Sequence, residues 1–275
     1  TVGFRQRRGD LGVVIVAGGS GSRMGGIDKI FASLGGQPVL SHTINVFQDS
    51  SAVGAIVIVL SETNLAAGQQ LVDALGDSKV KAVLSGGQRR QDSARIGIEF
   101  LSQMETPSAY IAIHDGPRPF IDDALINRGL VAARESGAAV PAIPVTDTIK
   151  LVDEHSHVVD TPIRGMLRAV QTPQIFVREL IARAHAEVSS DVTDDAMMVE
   201  TVGGKVAIFE GSPVNIKITT PEDLVNAEQI LSRLQPSGGS SSDRLRWGTA
   251  FDGHALNPGS VLRLGGIDIE FDHSL

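Results

Sequence analysis

The chain has 275 residues, a formal net charge of −8 and no cysteine. That length is enough for one large domain or two. The missing cysteines exclude disulfides, thiolate metal sites and cysteine nucleophiles, and the acidic charge argues against general nucleic-acid binding. No apolar run approaches the length of a membrane span. These features fit a cytoplasmic enzyme, and they leave a small anionic substrate open because a few arginines and lysines can converge locally.

Short apolar runs alternate with helical spacing through the first half of the chain. Strands are predicted over residues 13–17, 55–60, 79–84 and 109–114, and helices over about 38–47, 64–75 and 89–104. This alternation predicts an α/β, Rossmann-like fold, with a mostly parallel sheet and helices on both faces. Ligands of such sheets bind at the carboxyl ends of the strands, where Gly18 and the segment His114–Pro119 lie.

Two later elements depart from this alternation. Thr148–Val152 and His157–Val159 flank a polar turn, which predicts a β-hairpin arm projecting from the sheet. Thr220-Pro-Glu-Asp223 opens a helix that runs to about Leu234, with a threonine N-cap, a proline at the first helical position and acids in the first turn.

Composition changes after Leu234, so three regions are predicted. Residues 1–234 form the first domain, and residues 235–243, rich in glycine and serine, form a flexible linker. Residues 244–275 resume strand patterning, with Val261–Leu264 and Ile267–Glu270 flanking a Gly-Gly hairpin signal. So short a stretch cannot hold a core alone, and we expect it to be the opening of a second domain.

The glycine-rich loop after the first apolar run fits three phosphate or nucleophile motifs poorly. No Lys-Ser or Lys-Thr follows as in a Walker A loop, Met24 replaces the last glycine of a dinucleotide fingerprint, and Ser22 replaces the last glycine of a hydrolase elbow. The loop does carry Arg23, with Lys29 soon after, and its glycines let backbone N–H groups approach oxygen atoms. Two cations beside such amides suit a triphosphate; the alternative is a surface turn with solvated cations.

Six segments, in this order, resemble those of one family. They are Ala17–Met24 with Asp28-Lys29, Gly86–Ser93, His114–Pro119, Gln171–Gln174, Thr193–Asp195 and Asn215–Asp223. Together they resemble the 2-C-methyl-D-erythritol 4-phosphate cytidylyltransferases of the non-mevalonate isoprenoid pathway, over about residues 11–234. The resemblance implies a nucleotide-diphospho-sugar transferase type of fold. It also implies transfer of CMP from CTP to methylerythritol phosphate, giving 4-diphosphocytidyl-2-C-methyl-D-erythritol and pyrophosphate.

The same resemblance implies roles for particular residues. The implied catalytic residues are Arg23, Lys29 and Lys217. The implied CTP-binding residues are Ala17, Gly18, Gly19, Gly21, Gly87, Arg90 and Ser93. The implied substrate-binding residues are Asp115, Arg118, Arg164, Thr172 and Thr193.

Asp115 is also the implied ligand of a divalent cation, expected to be Mg²⁺. In this family the arm packs on a second subunit, so a homodimer is expected and Arg164 is a candidate to act in trans. Gly116-Pro117 stands where the family more often has two alanines. Lys217 lies between Ile216 and Ile218 on a predicted short strand, so a solvated strand lysine is the alternative.

The end of the chain resembles a second family. Trp247–His254 and Leu264–Phe271 are similar to the start of 2-C-methyl-D-erythritol 2,4-cyclodiphosphate synthase. That resemblance implies Asp252 and His254 as ligands of a divalent cation such as Zn²⁺ or Mn²⁺, with a third ligand beyond Leu275. Cyclase activity is therefore expected only of a complete bifunctional chain.

Two other functions remain open at this stage. One is a different enzyme on the same fold, which transfers a nucleotide to another sugar phosphate or to a cofactor. The other is a non-catalytic nucleotide-binding module that positions the second domain. No nucleic-acid or membrane partner is expected.

Overall fold

A computed structural model describes residues 9–18, 28–76 and 78–234, together with the backbone of four short strands between residues 257 and 274. The chain divides into two compact units, Thr1–Gln235 and Pro236–Leu275. Among the helices described, none has the length and apolar character that crossing a membrane requires.

The elements of the first unit alternate as the sequence predicts. Its strands are β1 (Leu11–Ala17), β2 (Ser33–Leu34), β3 (Gln37–Pro38), β4 (Val53–Leu60), β5 (Val80–Ser85), β6 (Tyr110–Asp115), β7 (Ala138–Pro144), β8 (Leu151–Val152), β9 (Val158–Asp160), β10 (Arg168–Val170), β11 (Gln174–Val177) and β12 (Ala207–Glu210). Its helices are α1 (Val39–Asp49), α2 (Leu65–Asp73), α3 (Arg90–Ser102), α4 (Asp123–Ser136), α5 (Arg178–Glu187), α6 (Asp195–Thr201) and α7 (Pro221–Leu234). Short 3-10 turns lie at Glu62–Asn64 and Arg164–Met166.

Within the described residues, one eight-stranded sheet organises this unit. Its order is β10-β7-β11-β6-β1-β4-β5, with β12 pairing β7. The strands β6, β1, β4 and β5 are parallel neighbours, while β11 runs antiparallel between β6 and β7. The predicted α/β fold with a mostly parallel sheet is confirmed.

The central strand β1 shows why helices cover both faces. All of its residues are buried, and they alternate between two apolar clusters. Leu11, Val13 and Ile15 face the cluster that α1 and α4 complete, whereas Val14 and Val16 face the cluster that α3, α5 and α6 complete. Each fully buried aliphatic side chain contributes roughly 1.5–3 kcal/mol of transfer free energy, so a continuous apolar strand needs a helix layer on each side.

A third apolar cluster fixes the end of the first unit. Ile218, which lies before α7, and Ile230, which lies in α7, are buried in it with Phe120. The predicted short strand around Lys217 is wrong, because this segment has irregular backbone. The Ile218 N–H donates to the Pro117 carbonyl (2.9 Å) rather than to a strand, so the segment is held by loop contacts.

The predicted arm is present as the antiparallel pair β8–β9, in which Leu151 lies opposite Asp160. We call residues 148–167 the arm. Among the described residues it carries exposed apolar side chains: Val159, Ile163 and Met166 are 64%, 72% and 80% exposed.

The second unit shows the predicted hairpin pairing. Strands β14 (Val261–Leu264) and β15 (Ile267–Glu270) pair antiparallel, with Leu264 opposite Ile267. Strands β13 (Asn257–Pro258) and β16 (His273–Ser274) form another antiparallel pair.

Candidate active site

Two adjoining cavities open where β1, β5 and β6 end. The first, of about 400 Å³, is lined by Val16, Ala17, Gly18, Lys29, Gly87, Gln88, Arg89, Arg90, Ser93, Asp115, Pro117 and Lys217. The second, of about 260 Å³, is lined by Arg90, Asp115, Arg118, Val170, Gln171, Thr172, Gln174, Thr193, Asp194 and Lys217. Arg90, Asp115 and Lys217 line both cavities, so a ligand in either one meets the same charged groups.

The carboxylate of Asp115, the last residue of β6, is the centre of these shared groups. Its Oδ1 accepts from Arg90 Nε (3.0 Å), and its Oδ2 lies 2.9 Å from Lys217 Nζ and 3.5 Å from Arg118 Nε. We call these four residues the ion cluster. Burial alone would raise the pKa of Asp115, but the nearby Arg90, Lys217 and Arg118 outweigh it and hold that pKa below its ordinary value. The carboxylate therefore stays ionised.

A second buried carboxylate holds Arg90 from the other side. Arg90 Nη1 donates to Asp195 Oδ2 (2.6 Å), and Asp195 Oδ1 lies 3.1 Å from His185 Nε2. Burial acts to lower the pKa of Arg90, while Asp195 and Asp115 together outweigh it and raise that pKa. Arg90 thus joins the first turn of α3 to the start of α6 and keeps its charge at the cavity wall.

The loop between β5 and α3 folds around the hydroxyl of Ser93. Gly87 N–H donates to Ser93 Oγ (3.2 Å), and Arg89 N–H donates to Asp92 at the helix N-terminus (3.2 Å). A Cβ at Gly87 would collide with Asp92, so only glycine fits this turn.

Gly116, directly after β6, also lies in close contact with a neighbouring strand end. A Cβ at Gly116 would lie 2.7 Å from the Cβ of Ala17. Glycine therefore lets the end of β6 approach the end of β1.

The wall of the second cavity contains a neutral hydrogen-bonded chain. Thr172 Oγ1 accepts from the Asp115 N–H (3.1 Å) and lies 3.0 Å from His114 Nδ1, while His114 Nε2 lies 3.1 Å from the Arg118 carbonyl. His114 is fully buried, and its burial lowers its pKa to about 3. The imidazole is therefore neutral at ordinary pH.

Two buried amides hold the segment that carries Lys217. Gln171 Nε2 donates to the Ser212 carbonyl (2.8 Å), and Gln171 Oε1 accepts from the Ser212 N–H (3.1 Å). Asn215 Nδ2 donates to the Thr172 carbonyl (2.9 Å), and the Asn215 carbonyl accepts from Arg118 Nη1 (2.7 Å). These bonds fix Lys217, two residues further on, against Asp115.

Comparison with known proteins identifies the family to which the chain belongs. The sequence profile of the 2-C-methyl-D-erythritol 4-phosphate cytidylyltransferase family (IspD) matches residues 11–233. The protein of that name from Dehalococcoides mccartyi is 46% identical over 223 residues, which is 81% of this chain and 96% of the relative. The chain belongs to the IspD cytidylyltransferase family.

A solved IspD structure shares the fold. The 4-diphosphocytidyl-2C-methyl-D-erythritol synthase of Anaerococcus prevotii superimposes with a TM-score of 0.71 at 28% identity, over 81% of this chain and 96% of that one. A further relative, the bifunctional enzyme IspD/IspF of Nitrobacter winogradskyi, is 41% identical over 261 residues. That match spans 93% of this chain but 63% of the relative.

Most of the predicted IspD site residues that the structure describes come together here. Ala17, Gly18, Lys29, Gly87, Arg90, Ser93, Asp115 and Lys217 line the first cavity, and Arg118, Thr172 and Thr193 join Arg90, Asp115 and Lys217 in the second. Arg164 lines neither cavity; it lies on the arm and donates to the Thr146 carbonyl (3.0 Å). Gly19, Gly21, Arg23, Asp252 and His254 lie outside the described residues, so their predicted roles stay predictions.

Several residues of the site carried no predicted role. Gln171, Asn215 and Asp195 stand inside the segments that identify the family, yet sequence reasoning assigned them no contact. A signal was available for Gln171, which directly follows β10: an amide at the end of a strand must find polar partners when it is buried.

Proposed function

We propose that the chain transfers the cytidylyl group of CTP to 2-C-methyl-D-erythritol 4-phosphate and releases pyrophosphate. The observation that carries this proposal is the sharing of Arg90, Asp115 and Lys217 by two adjoining cavities. One cavity is large enough for a nucleotide and the other for a small phosphorylated polyol. A phosphate held in the second cavity would then face the α-phosphorus of a nucleotide held in the first.

The charges around the first cavity suit this reaction. Lys29, Arg89, Arg90 and Lys217 line it with one carboxylate, Asp115. An oxygen of the methylerythritol phosphate forms a bond to the α-phosphorus, and the bond from that phosphorus to the leaving pyrophosphate oxygen breaks. The attacking phosphate is already an anion, so no proton has to move. The protein therefore contributes alignment and neutralisation of charge, for which we propose Lys217 at the α-phosphate and Lys29 at the leaving group.

The donor set also fits a Mg²⁺ ion. Within the described part of the chain no three His, Cys, Asp or Glu side chains are grouped to hold a metal by themselves. Asp115 offers one ionised carboxylate that lines both cavities, and Mg²⁺ typically takes one or two carboxylates and completes its shell with substrate phosphates and water. We propose Asp115 as its protein ligand. When bound, such an ion supplies charge neutralisation to the phosphates.

The test of the proposed function is an acceptor panel. The protein is incubated with CTP, Mg²⁺ and a series of sugar and polyol phosphates, and pyrophosphate release is measured. Methylerythritol phosphate should give product at the highest kcat/KM. Turnover with another acceptor but not with methylerythritol phosphate would indicate a different nucleotidyltransferase. Nucleotide binding without any turnover would indicate a non-catalytic module.

We also propose that two chains pair through the arm. Ile163 and Met166 are among its most exposed apolar side chains, and an exposed apolar patch of this kind marks a contact surface. Arg164 lies between them, outside the cavities of its own chain. In such a dimer Arg164 would reach the partner's second cavity and hold methylerythritol phosphate in trans. Met166→Asp should convert the dimer to a monomer in sedimentation velocity.

A second activity is proposed for the complete protein. The match to the bifunctional IspD/IspF relative extends through 93% of this chain and therefore beyond the cytidylyltransferase match at residues 11–233. We propose that residues 244–275 begin a cyclodiphosphate synthase domain, with Asp252 and His254 as ligands of a divalent cation such as Zn²⁺ or Mn²⁺. Expression of the complete coding sequence, followed by a cyclase assay with Asp252→Asn as the control, tests this.

A further inference from the structure

Two loops contribute to different cavities. Residues 87–89, which we call the nucleotide loop, line the first cavity. Residues 189–194, which we call the acceptor loop, supply Thr193 and Asp194 to the second cavity, and none of these described residues lines the first. A side chain that joins the two loops is therefore placed to connect the binding of a ligand in one cavity with the binding of a ligand in the other.

The side chain of Gln91 makes this connection. Gln91 lies in the first turn of α3, is 7% exposed and lines neither cavity. Its Nε2 donates to the Ser190 carbonyl (3.1 Å), and its Oε1 accepts from the Val192 N–H (3.3 Å). A carbonyl only accepts and a backbone N–H only donates, so one orientation of the glutamine amide satisfies both groups. Gln91 thus pairs with the backbone of the acceptor loop as a neighbouring strand would.

The nucleotide loop is tied to the same turn of α3. Ser93 Oγ accepts from the Gly87 N–H, and the Asp92 carboxylate accepts from the Arg89 N–H, both at 3.2 Å. Asp92 and Ser93 are the next two residues after Gln91 in the chain. A ligand that fixes the nucleotide loop therefore also fixes the helical turn from which Gln91 reaches the acceptor loop.

The acceptor loop depends on side-chain contacts of this kind. Within the described part of the chain, residues 189–193 make no hydrogen bond from backbone to backbone, and the first three of them are exposed, so apolar burial holds them weakly. Arg89 Nη1 also donates to the Ser189 carbonyl (3.2 Å) and to Asp191 (2.8 Å), but both charged side chains are exposed, and exposed ion pairs contribute little. The buried amide of Gln91 is therefore the main restraint on the loop.

We propose that Gln91 is a positioning residue for the acceptor substrate. Its amide holds the loop that presents Thr193 to the second cavity, and it does so from the turn of α3 that also anchors the nucleotide loop. Nucleotide binding should therefore restrain the acceptor loop and strengthen acceptor binding, and this coupling must be reciprocal. The inference rests on the proposed function, in which a nucleotide occupies the first cavity and a phosphorylated polyol occupies the second.

The first experiment removes the amide of Gln91 and keeps the length of the side chain. In Gln91→Met both hydrogen bonds to the acceptor loop are lost, while the exposed residues of that loop can bond to water instead. We expect KM for methylerythritol phosphate at saturating CTP to rise about tenfold, and Kd for CTP alone to stay within about twofold, because Gln91 lines neither cavity. An unchanged KM for methylerythritol phosphate, or an equal rise in Kd for CTP, would overturn the proposal.

A second variant distinguishes hydrogen bonding from the filling of space. Gln91→Glu keeps the length of the side chain and the acceptor for the Val192 N–H, but it places an oxygen against the Ser190 carbonyl. It should raise the same KM at least about threefold, and a wild-type value would overturn the proposal. Gln48→Met is the matched control: Gln48 Oε1 accepts from the Lys79 N–H (2.8 Å) and Gln48 lines neither cavity, so both constants should stay unchanged. Thermal unfolding of all three variants shows whether each is folded under the assay conditions.

A double-mutant cycle tests whether Gln91 acts through Thr193, the residue of the acceptor loop that we expect to bind the acceptor. Thr193→Val removes the hydroxyl and keeps the shape of the side chain. In that background Gln91→Met should raise KM for methylerythritol phosphate by less than about threefold, because the position of a missing hydroxyl no longer matters. An effect of about tenfold in both backgrounds would overturn the proposal.

The last experiment follows the acceptor loop itself and needs no acceptor substrate. In hydrogen–deuterium exchange of the wild type, CTP with Mg²⁺ should slow the exchange of residues 189–193 at least about threefold, although none of these described residues lines the first cavity. In Gln91→Met this slowing should be absent. No slowing in the wild type, or the same slowing in Gln91→Met, would overturn the inference. A wild type that shows the slowing but gives no product with methylerythritol phosphate would instead refute the proposed function.

Discussion

The ion cluster and the arm differ in the surroundings of their side chains. At the ion cluster, the buried carboxylate of Asp115 is paired within the chain with three partly buried cations, Arg90, Arg118 and Lys217. On the arm, apolar side chains such as Met166 (80% exposed) are exposed among the described residues. Burying an unpaired charge and exposing an apolar patch are both costly. The contacts of the ion cluster lie within one chain, whereas the exposed apolar side chains of the arm are the basis of the proposed pairing of two chains.

This contrast predicts which property a substitution in each region should change. A change in the ion cluster alters the chemistry or the stability of one subunit, because its contacts are internal. If two chains pair through the arm as proposed, a change on the arm should alter assembly, and it should affect activity only where an arm residue reaches the other subunit's site. The following experiments test this contrast in order of expected effect.

The largest effect is expected at the ion cluster. Lys217→Ala removes the cation that lies 2.9 Å from Asp115, which we propose acts on the α-phosphate. We expect kcat to fall about 10²–10³-fold, the usual loss when one group that stabilises transition-state charge is removed. Lys81→Ala, at an exposed lysine of β5, is the matched control and should retain full activity. A loss of less than about threefold at Lys217 would contradict its assignment.

The arm is tested by mixing subunits. Arg164→Ala should lower kcat/KM for methylerythritol phosphate by roughly 10–100-fold, as expected for a charged contact to a phosphate. If Arg164 acts in trans, an Arg164→Ala chain of low activity mixed with a Lys217→Ala chain of low activity forms hybrid dimers with one intact site. Equal mixing should then restore about a quarter of the wild-type activity, since half of the dimers are hybrid. Activity no higher than the average of the two variants would mean that Arg164 acts within its own chain.

Substitutions at two aspartates compare the contribution of a buried ion pair to stability with that of an exposed ion pair. Asp195 pairs with Arg90 and is 0% exposed, whereas the Asp191 side chain that pairs with Arg89 is 82% exposed. Asp195→Asn should cost about 3–5 kcal/mol of unfolding free energy at neutral pH, and Asp191→Asn less than about 1 kcal/mol. Denaturant titrations of both variants against the wild type measure these values.

The pH dependence of the same pair follows from the direction of the pKa shift. Burial acts to raise the pKa of Asp195, but Arg90 and His185 outweigh it and lower that pKa in the folded chain. The unfolded chain therefore takes up the proton first as the pH falls. The stabilisation by Asp195 is complete above roughly pH 4 and declines below it, so the wild type and Asp195→Asn should converge in acid. If the difference in unfolding free energy between the wild type and Asp195→Asn stayed constant down to about pH 2–3, the direction of the pKa shift would be contradicted.

The smallest effect is expected at the amide that holds the Lys217 segment. Gln171→Leu removes the two bonds to Ser212 and should cost about 1–3 kcal/mol of unfolding free energy, with a fall in kcat of roughly tenfold. Gln69→Leu, which removes an exposed glutamine bond to Asp73, is the matched control. In a Lys217→Ala background the kcat effect of Gln171→Leu should disappear, because Gln171 acts through Lys217.

Local sequence determined much of this protein. The continuous apolar run of β1 predicts a strand buried on both faces, and Thr220-Pro-Glu-Asp223 predicts the start of α7, because strand burial and helix capping depend on neighbouring residues. The order of the six family segments predicted that the chain belongs to the cytidylyltransferase family, and the profile match confirms that prediction. The pairing of Val261–Leu264 with Ile267–Glu270 was also predictable, since a two-residue Gly-Gly connection sets the register.

The tertiary structure alone decided how the polar groups pair. Arg90 and Asp195 are far apart in sequence, and no local pattern indicates that one guanidinium bridges Asp115 and Asp195. The segment around Lys217 looks like a strand from its flanking isoleucines, yet its backbone bonds to the loop at Pro117. His114 likewise contacts two groups that are not its neighbours in a local pattern, Thr172 Oγ1 at Nδ1 (3.0 Å) and the Arg118 carbonyl at Nε2 (3.1 Å). Apolar periodicity is a property of adjacent residues, whereas the partner of a buried polar group is set by which distant backbone the fold brings within 3 Å or so of it.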